Sequence, residues 1–140
     1  MNIAVASDHG GYNEKEQIVK WLREQGHKVR NFGTHNIDSC DYPDYAKQVC
    51  DHITSNNSEF GILVCGTGIG MSMVANRNPQ IRAGLCSGVT TAELTRQHNN
   101  ANVLCLGARV TLDADIIPIV ETFLNTEFEG GRHTKRIEKF

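Results

Sequence analysis

No part of the chain constrains its fold more than the stretch from Phe60 to Arg77, FGILVCGTGIGMSMVANR. Phe60 to Val64 is a short apolar run of strand-forming residues, and Gly66, Gly68 and Gly70 then alternate with Thr67 and Ile69. The spacing predicts a helix from about Met71 to Asn76. In a buried strand followed by a glycine loop and a helix, backbone N–H groups approach a ligand closely, and the helix N-terminus adds unpaired donors and a positive dipole end. Phosphate or a developing oxyanion suits such a turn, and the thiol of Cys65 stands beside it. Dinucleotide folds open with a similar unit, but G-T-G-I-G lacks the G-x-G-x-x-G spacing, and no Gly-Lys-Ser/Thr follows to make a P-loop. From spacing alone, a tight turn holding a small buried cysteine fits the stretch as well as a site does.

With 140 residues the chain reads as one domain, 1–140, large enough to bury a core without staples. A formal net charge of -2 offers no broad basic surface for nucleic acid, so any anion affinity must be local. No apolar run approaches the roughly 20 residues of a membrane span. Asn2 opens a strand with no basic-then-apolar leader before it, which predicts a cytoplasmic protein with no membrane partner. Five cysteines, Cys40, Cys50, Cys65, Cys86 and Cys105, include no C-x-x-C or comparable ligand spacing, so neither disulfides nor structural zinc are expected.

Asn2 to Ser7 reads as the first strand. The turn Asp8-His9-Gly10-Gly11 follows, then a helix capped by Asn13 with Glu16, which buries Ile18, Trp21 and Leu22 and exposes its Lys and Glu residues. Lys28 to Phe32 is the second strand, and Asp41-Tyr42-Pro43-Asp44 starts a helix with Tyr45, Ala46, Val49, Cys50 and Ile53 on one face. After the central stretch come a strand from Ile81 to Cys86, a helix opened by a Thr90–Glu93 capping box and a strand from Asn102 to Leu106. A long helix follows, in which Pro118 suits only the first turn.

Five strands alternating with helices predict a parallel sheet with right-handed crossovers and helices on both faces. Ligands bind outside the carboxyl ends of such strands, so Asp8, His9, Cys65 with its loop, Ser87 and Arg109 are expected on one rim. Glu129 to Arg136 is a glycine-hinged basic tail leading to a short helix with Ile137 and Phe140. On a helix Arg132 and Arg136 would share a face and could grip one phosphate. From the residues alone, a solvated basic end complementing the helix dipole is the simpler reading.

Taken together, Ser7-Asp8-His9-Gly10-Gly11, Asp41-Tyr42-Pro43, Cys65-Gly66-Thr67-Gly68-Ile69-Gly70, Ala75-Asn76, Arg96-Gln97-His98-Asn99, Asn102-Val103, Gly107-Ala108-Arg109 and Glu129-Gly130-Gly131-Arg132-His133 resemble the type B ribose-5-phosphate isomerases. The wider group includes the galactose-6-phosphate isomerase subunits. No single landmark is specific, but the resemblance runs the length of the chain. It implies an α/β, Rossmann-like (flavodoxin-like) three-layer sandwich with a five-stranded parallel sheet and a C-terminal helical tail. It also implies aldose–ketose isomerisation of a pentose 5-phosphate in the non-oxidative pentose phosphate pathway, with no metal and no organic cofactor, in a homodimer or dimer of dimers.

By the same resemblance, Cys65 is the base that moves a proton between C1 and C2, with Thr67 beside it. The amides of Gly66, Gly68, Ile69 and Gly70 would stabilise the enediolate oxygen. Asp8 and His98 would open the furanose ring, His9, Arg132 and Arg136 would hold phosphate, and Tyr42, Asn99 and Arg109 would contact substrate. The His98-Asn99 segment and part of the basic grip would come from the neighbouring subunit. A second form of the family places a glutamate base further along the glycine loop; Met71 stands there, so the cysteine form is expected. A free cysteine, with a pKa of about 8.5, is only a few per cent thiolate at neutral pH, and a helix N-terminus lowers that value. The helix after Gly70 is therefore expected to favour the Cys65 thiolate.

Rival readings share parts of this evidence. An isomerase of allose 6-phosphate or galactose 6-phosphate would share fold and chemistry, and a non-catalytic sugar-phosphate binding protein or a flavin module would share the fold alone. The galactose-6-phosphate subunits act as unlike pairs between which catalytic residues can be divided. This chain carries Cys65, His98, Arg132 and Arg136 together, which favours a self-sufficient enzyme.

Overall fold

A computed structural model describes all residues from 1 to 140. Its strands are β1 (Asn2–Ser7), β2 (Lys28–Asn31), β3 (Phe60–Cys65), β4 (Ala83–Leu85) and β5 (Val103–Gly107). Its helices are α1 (Tyr12–Glu24), α2 (Tyr42–Thr54), α3 (Ile69–Ala75), α4 (Val89–Asn99), α5 (Asp113–Asn125) and α6 (Thr134–Ile137). All strand pairs are parallel, in the order β2-β1-β3-β5-β4. The flavodoxin-like order is 2-1-3-4-5; here the switch between β1 and β3 is kept and the last two strands change places.

Strand alternation assigns each side chain to a layer. Ile3, Val5, Ile62, Val64, Leu104 and Leu106 pack with Ile18 and Leu22 of α1, Ile119 and Phe123 of α5 and Ala92 of α4. The intervening Ala4, Ala6, Leu63, Cys65, Val103 and Cys105 face Ala46, Val49 and Ile53 of α2 and Met71 and Ala75 of α3. Helices thus cover both faces, and the Cys65 side chain belongs to the α2–α3 layer. No helix is long and apolar enough to cross a membrane.

Several element ends differ from the sequence expectations, each for a local reason. Asp8 caps a short 3₁₀ turn, His9–Gly11, that runs straight into α1, so Gly11 rather than Asn13 precedes the helix. Glu16 then lies past the N3 position that a capping box needs, and it binds Lys15 Nζ instead. Lys15 is wholly buried rather than exposed, with Nζ also donating to Asn31 Oδ1 at 3.3 Å. Gly68, at φ +76°, completes the turn early, and α3 begins at Ile69 instead of Met71.

β4 is three residues long because side chains take over its pairing. The Asn76 amide bonds both the N–H and the carbonyl of Ala83, and the Asn102 amide bonds the Arg82 N–H and the Gln80 carbonyl. At the start of α4, Thr91 rather than Thr90 caps, its Oγ1 accepting from the Ser87 and Gly88 amides. Pro118 lies inside α5, past its first turn. Both Pro118 and Ala114, whose carbonyl loses a donor, are exposed, so water can take the missing bond.

Candidate active site

The chain steps outward from β1 to β2, then crosses back to β3, so the loops leaving β1 and β3 part toward opposite faces. The crevice between them is the ligand position of such sheets. Asp8 follows β1 and Cys65 ends β3. Ser87 and Arg109, beyond β4 and β5, lie on the same carboxyl rim.

Cys65 is buried, and the Gly68 N–H donates to its Sγ at 3.1 Å. The chain after β5 lies against this loop, the Ala108 and Arg109 amides donating to the Cys65 and Gly66 carbonyls at 2.8 and 2.9 Å. That pairing carries the Arg109 guanidinium over Gly66, where a Cβ would stand 3.1 Å from Nη1. Asp8, also buried, accepts the Gly10 N–H at 2.9 Å. The Tyr42 ring covers Gly70, where a Cβ would meet Cζ at 2.5 Å. Thr67 is exposed, and its Oγ1 accepts the Ile69 N–H at 3.3 Å, leaving its own proton free to donate. The Cys40 N–H donates to His9 Nδ1 at 3.2 Å, which leaves the proton of neutral His9 on Nε2.

Gly68 is the residue on which this geometry turns. A Cβ there would lie 2.9 to 3.0 Å from the Leu106 backbone and 2.6 Å from Leu85 Cδ1, at a φ that side chains rarely adopt. Gly68→Ala is expected to cost at least about 1–3 kcal/mol in thermal or denaturant unfolding. Unfolding that matches wild type would show that the loop relaxes freely.

The other sequence candidates stand elsewhere. α4 ends at Asn99, four residues before β5 begins, so His98 and Asn99 lie at the amino edge of the sheet. From Val103 to Gly107, the register partner of Cys65, β5 extends about 13 Å. The tail docks at the same distal edge. The Glu129 N–H donates to the Gln97 carbonyl at 3.1 Å, and the His133 ring stacks on His98 with centroids 4.4 Å apart. Arg132 and Arg136 flank this stack along the chain and are exposed. One chain therefore assembles Asp8, His9, Tyr42, Cys65 to Gly70 and Arg109, and separately His98, Asn99, Arg132 and Arg136. Burial, then the charges of His98 and Arg132, hold His133 below the usual histidine range, with Glu129 opposing them. Its Nε2 is 3.5 Å from Glu129.

The largest cavity, about 580 Å³ between α2 and α3, is lined by Pro43, Cys50, Met73 and Arg77 among others and does not reach Cys65. The rim is open instead. Burial lifts the Cys50 and Cys86 thiols to about 11 and raises Cys105 as well, so these three stay neutral near pH 7. Sequence reasoning gave no part to Cys40 or Arg96. The first acts through a backbone amide 31 residues from its partner, which no local pattern announces.

A thiol met by a backbone donor at the switch point of a parallel sheet, with a carboxylate and a guanidinium on the same rim, fits an α/β enzyme acting on a small polar substrate. The chain belongs to the Ribose/Galactose Isomerase family, whose model matches residues 3–140, and is an aldose–ketose isomerase. A Rickettsia conorii protein named as a sugar phosphate isomerase, with no sugar specified, is 49% identical over 139 residues, covering 99% of this chain and 96% of its own. A ribose 5-phosphate isomerase from Thermotoga maritima superposes with a TM-score of 0.97 at 50% identity, over 99% of this chain and 95% of that one. Ribose-5-phosphate isomerase B from Mycoplasma genitalium, solved with bound ribulose-5-phosphate, gives a TM-score of 0.95 at 45% identity, over 99% and 92%.

Proposed function

We propose that this protein interconverts ribose 5-phosphate and ribulose 5-phosphate through an enediolate, with Cys65 as the base and two copies of the chain completing each site. The observation that carries the reading is the Cys65 thiol at the β1–β3 switch point, met by the Gly68 amide. Met71, at the position where a glutamate could replace it, is wholly buried and has no proton to exchange.

A proton beside a carbonyl is weakly acidic, so its removal needs a placed base and donors for the oxygen that gains charge. In the open-chain aldose the Cys65 sulfur takes the C2 proton, and the C1 oxygen acquires negative charge. The C2 hydroxyl proton passes to the C1 oxygen, and as the proton on sulfur returns at C1 the C2 oxygen becomes the ketone. The Gly68 and Ile69 amides already donate to Cys65 and Thr67, so the Gly66 and Gly70 amides and the Thr67 hydroxyl are the loop donors left for that charge, and Arg109 adds a cation beside Gly66. Ring opening comes first, with Asp8 taking the anomeric hydroxyl proton and His98 of a second copy protonating the ring oxygen. His9 Nε2–H, with Arg132 and Arg136 of that copy, grips the phosphate, and Tyr42 and Asn99 contact the sugar.

Placement of the two residue groups at opposite edges of one chain supports the shared site, because neither is complete alone. Exposed apolar side chains around the rim, Ile69, Met73, Leu85 and Val89, offer a surface for the second copy. The relative with bound ribulose-5-phosphate supports a pentose. The test is kcat/KM for ribose 5-phosphate beside allose 6-phosphate and galactose 6-phosphate. Preference for the pentose is expected, and preference for a hexose would move the assignment within the family.

Arg136→Ala should raise KM for the sugar phosphate by the equivalent of about 1.5–3 kcal/mol, the scale of a charge-assisted hydrogen bond. Steady-state kinetics with an unchanged KM would remove Arg136 from the phosphate grip.

A further inference from the structure

Arg96 belongs to neither residue group above, yet it is the more unusual of the two buried Lys or Arg side chains. Lys15 meets Glu16, whereas Arg96 meets no carboxylate. Its guanidinium is spent on oxygens from two elements. Nη1 donates to the Ala101 carbonyl at 2.6 Å and to Asn100 Oδ1 at 2.9 Å, both just beyond α4. Nε donates to the Thr126 carbonyl at 3.1 Å, where α5 ends and the tail begins. The guanidinium carbon lies 4.9 Å from the Phe60 ring centroid and 5.7 Å from that of Phe123. Burial, and secondly the charge of Arg82, pull its pKa below the ordinary arginine value.

A buried cation without a counter-ion is costly unless its donors are satisfied. The planar fork of arginine reaches acceptors in several directions, which the single ammonium of lysine does not reproduce. These bonds root the tail at the C-terminal end of α4. The Glu129 to Gln97 bond and the His133 stack on His98 continue the same seam. His98 lies on this seam, and Arg132 and Arg136 flank along the chain the His133 that stacks on it.

We propose that Arg96 is a positioning residue that locks the tail onto the end of α4, so that His98 and the two tail arginines reach the neighbouring subunit as one rigid unit. The proposal rests on the shared-site reading above and adds the element that holds the donated half together.

Arg96→Lys in the full chain tests it, with three readouts beside far-UV circular dichroism and oligomeric state. These are KM and kcat for ribose 5-phosphate, the competitive inhibition constant of inorganic phosphate, and the imidazole proton shifts of His98 and His133. KM and the phosphate constant are expected to rise together by about tenfold or more, as for loss of a charged hydrogen bond. The imidazole resonances should lose the ring-current shift of stacked rings. A folded Arg96→Lys protein that melts earlier but keeps the wild-type KM, phosphate constant and imidazole shifts would overturn the proposal and leave Arg96 a core side chain.

Should Arg96→Lys fail to fold, Asn100→Gly removes a single acceptor of the fork and suits the positive φ of 45° at that position. It is expected to move the same readouts in the same direction by about threefold, and no movement would overturn the clamp. If wild type does not turn over ribose 5-phosphate, the functional reading fails separately. The imidazole shifts then still decide on Arg96: a stack lost in Arg96→Lys supports the clamp, and a stack kept overturns it.

Discussion

Cys65→Ala is expected to lose about two to four orders of magnitude in kcat, the usual contribution of a positioned base, while ribose 5-phosphate still binds. The substitution removes one sulfur atom from a site where Sγ touches the Gly68 amide. The phosphate contacts assigned to His9, Arg132 and Arg136 remain, so equilibrium titration should give a dissociation constant near that of wild type. An interaction made only in the transition state lowers kcat and kcat/KM together, and this pairing separates a base from a binding group. Cys65→Ser is the useful companion, because a hydroxyl keeps an acceptor for Gly68 and is a far weaker base near pH 7. A Cys65→Ala enzyme within tenfold of wild type would assign the proton transfer to another group.

Mixing two inactive variants should restore activity. Cys65→Ala and His98→Asn homodimers are each expected to be nearly inactive. In a heterodimer, one site pairs an intact Cys65 from one subunit with an intact His98 from the other, and the second site carries both defects. Random reassembly about a two-fold axis makes half of the dimers mixed, so about a quarter of all sites become wild type. Activity should therefore climb toward a quarter of the wild-type rate as subunits exchange. The physical reason is the length of the sheet: Cys65 ends β3, while His98 lies beyond the start of β5. No folding of one chain brings them together without dismantling the strands between. If the mixture remains as inactive as its components after confirmed subunit exchange, both groups act within a single chain or His98 has no part in catalysis.

Much of this arrangement was legible before the fold was known. Five strands alternating with helices mark a parallel sheet covered on both faces, and the strand-end rule brings Asp8, Cys65 and Arg109 to one rim. Lys15 is buried against expectation because its charge sits on a helix face that local periodicity assigns to solvent. Glu16, the next residue, and Asn31 receive it, and Asn31 becomes its neighbour only after β2 pairs with β1. Thr91 takes the cap expected of Thr90 because two adjacent threonines offer the same capping group, and only the extended backbone at Gly88 decides between them. The stacking of His133 on His98 and the Arg96 bond to Thr126 depend on where α5 delivers the tail. That contact spans 30 residues of sequence and leaves no periodic signal.

The central claim meets its most direct test in the conversion of ribose 5-phosphate by purified wild-type protein, followed by proton NMR in the presence of EDTA. Steady appearance of ribulose 5-phosphate, approaching the same aldose–ketose ratio from either sugar phosphate, is the predicted result. A folded, dimeric protein that binds ribose 5-phosphate and leaves it unchanged over hours would contradict the isomerisation assigned to this site.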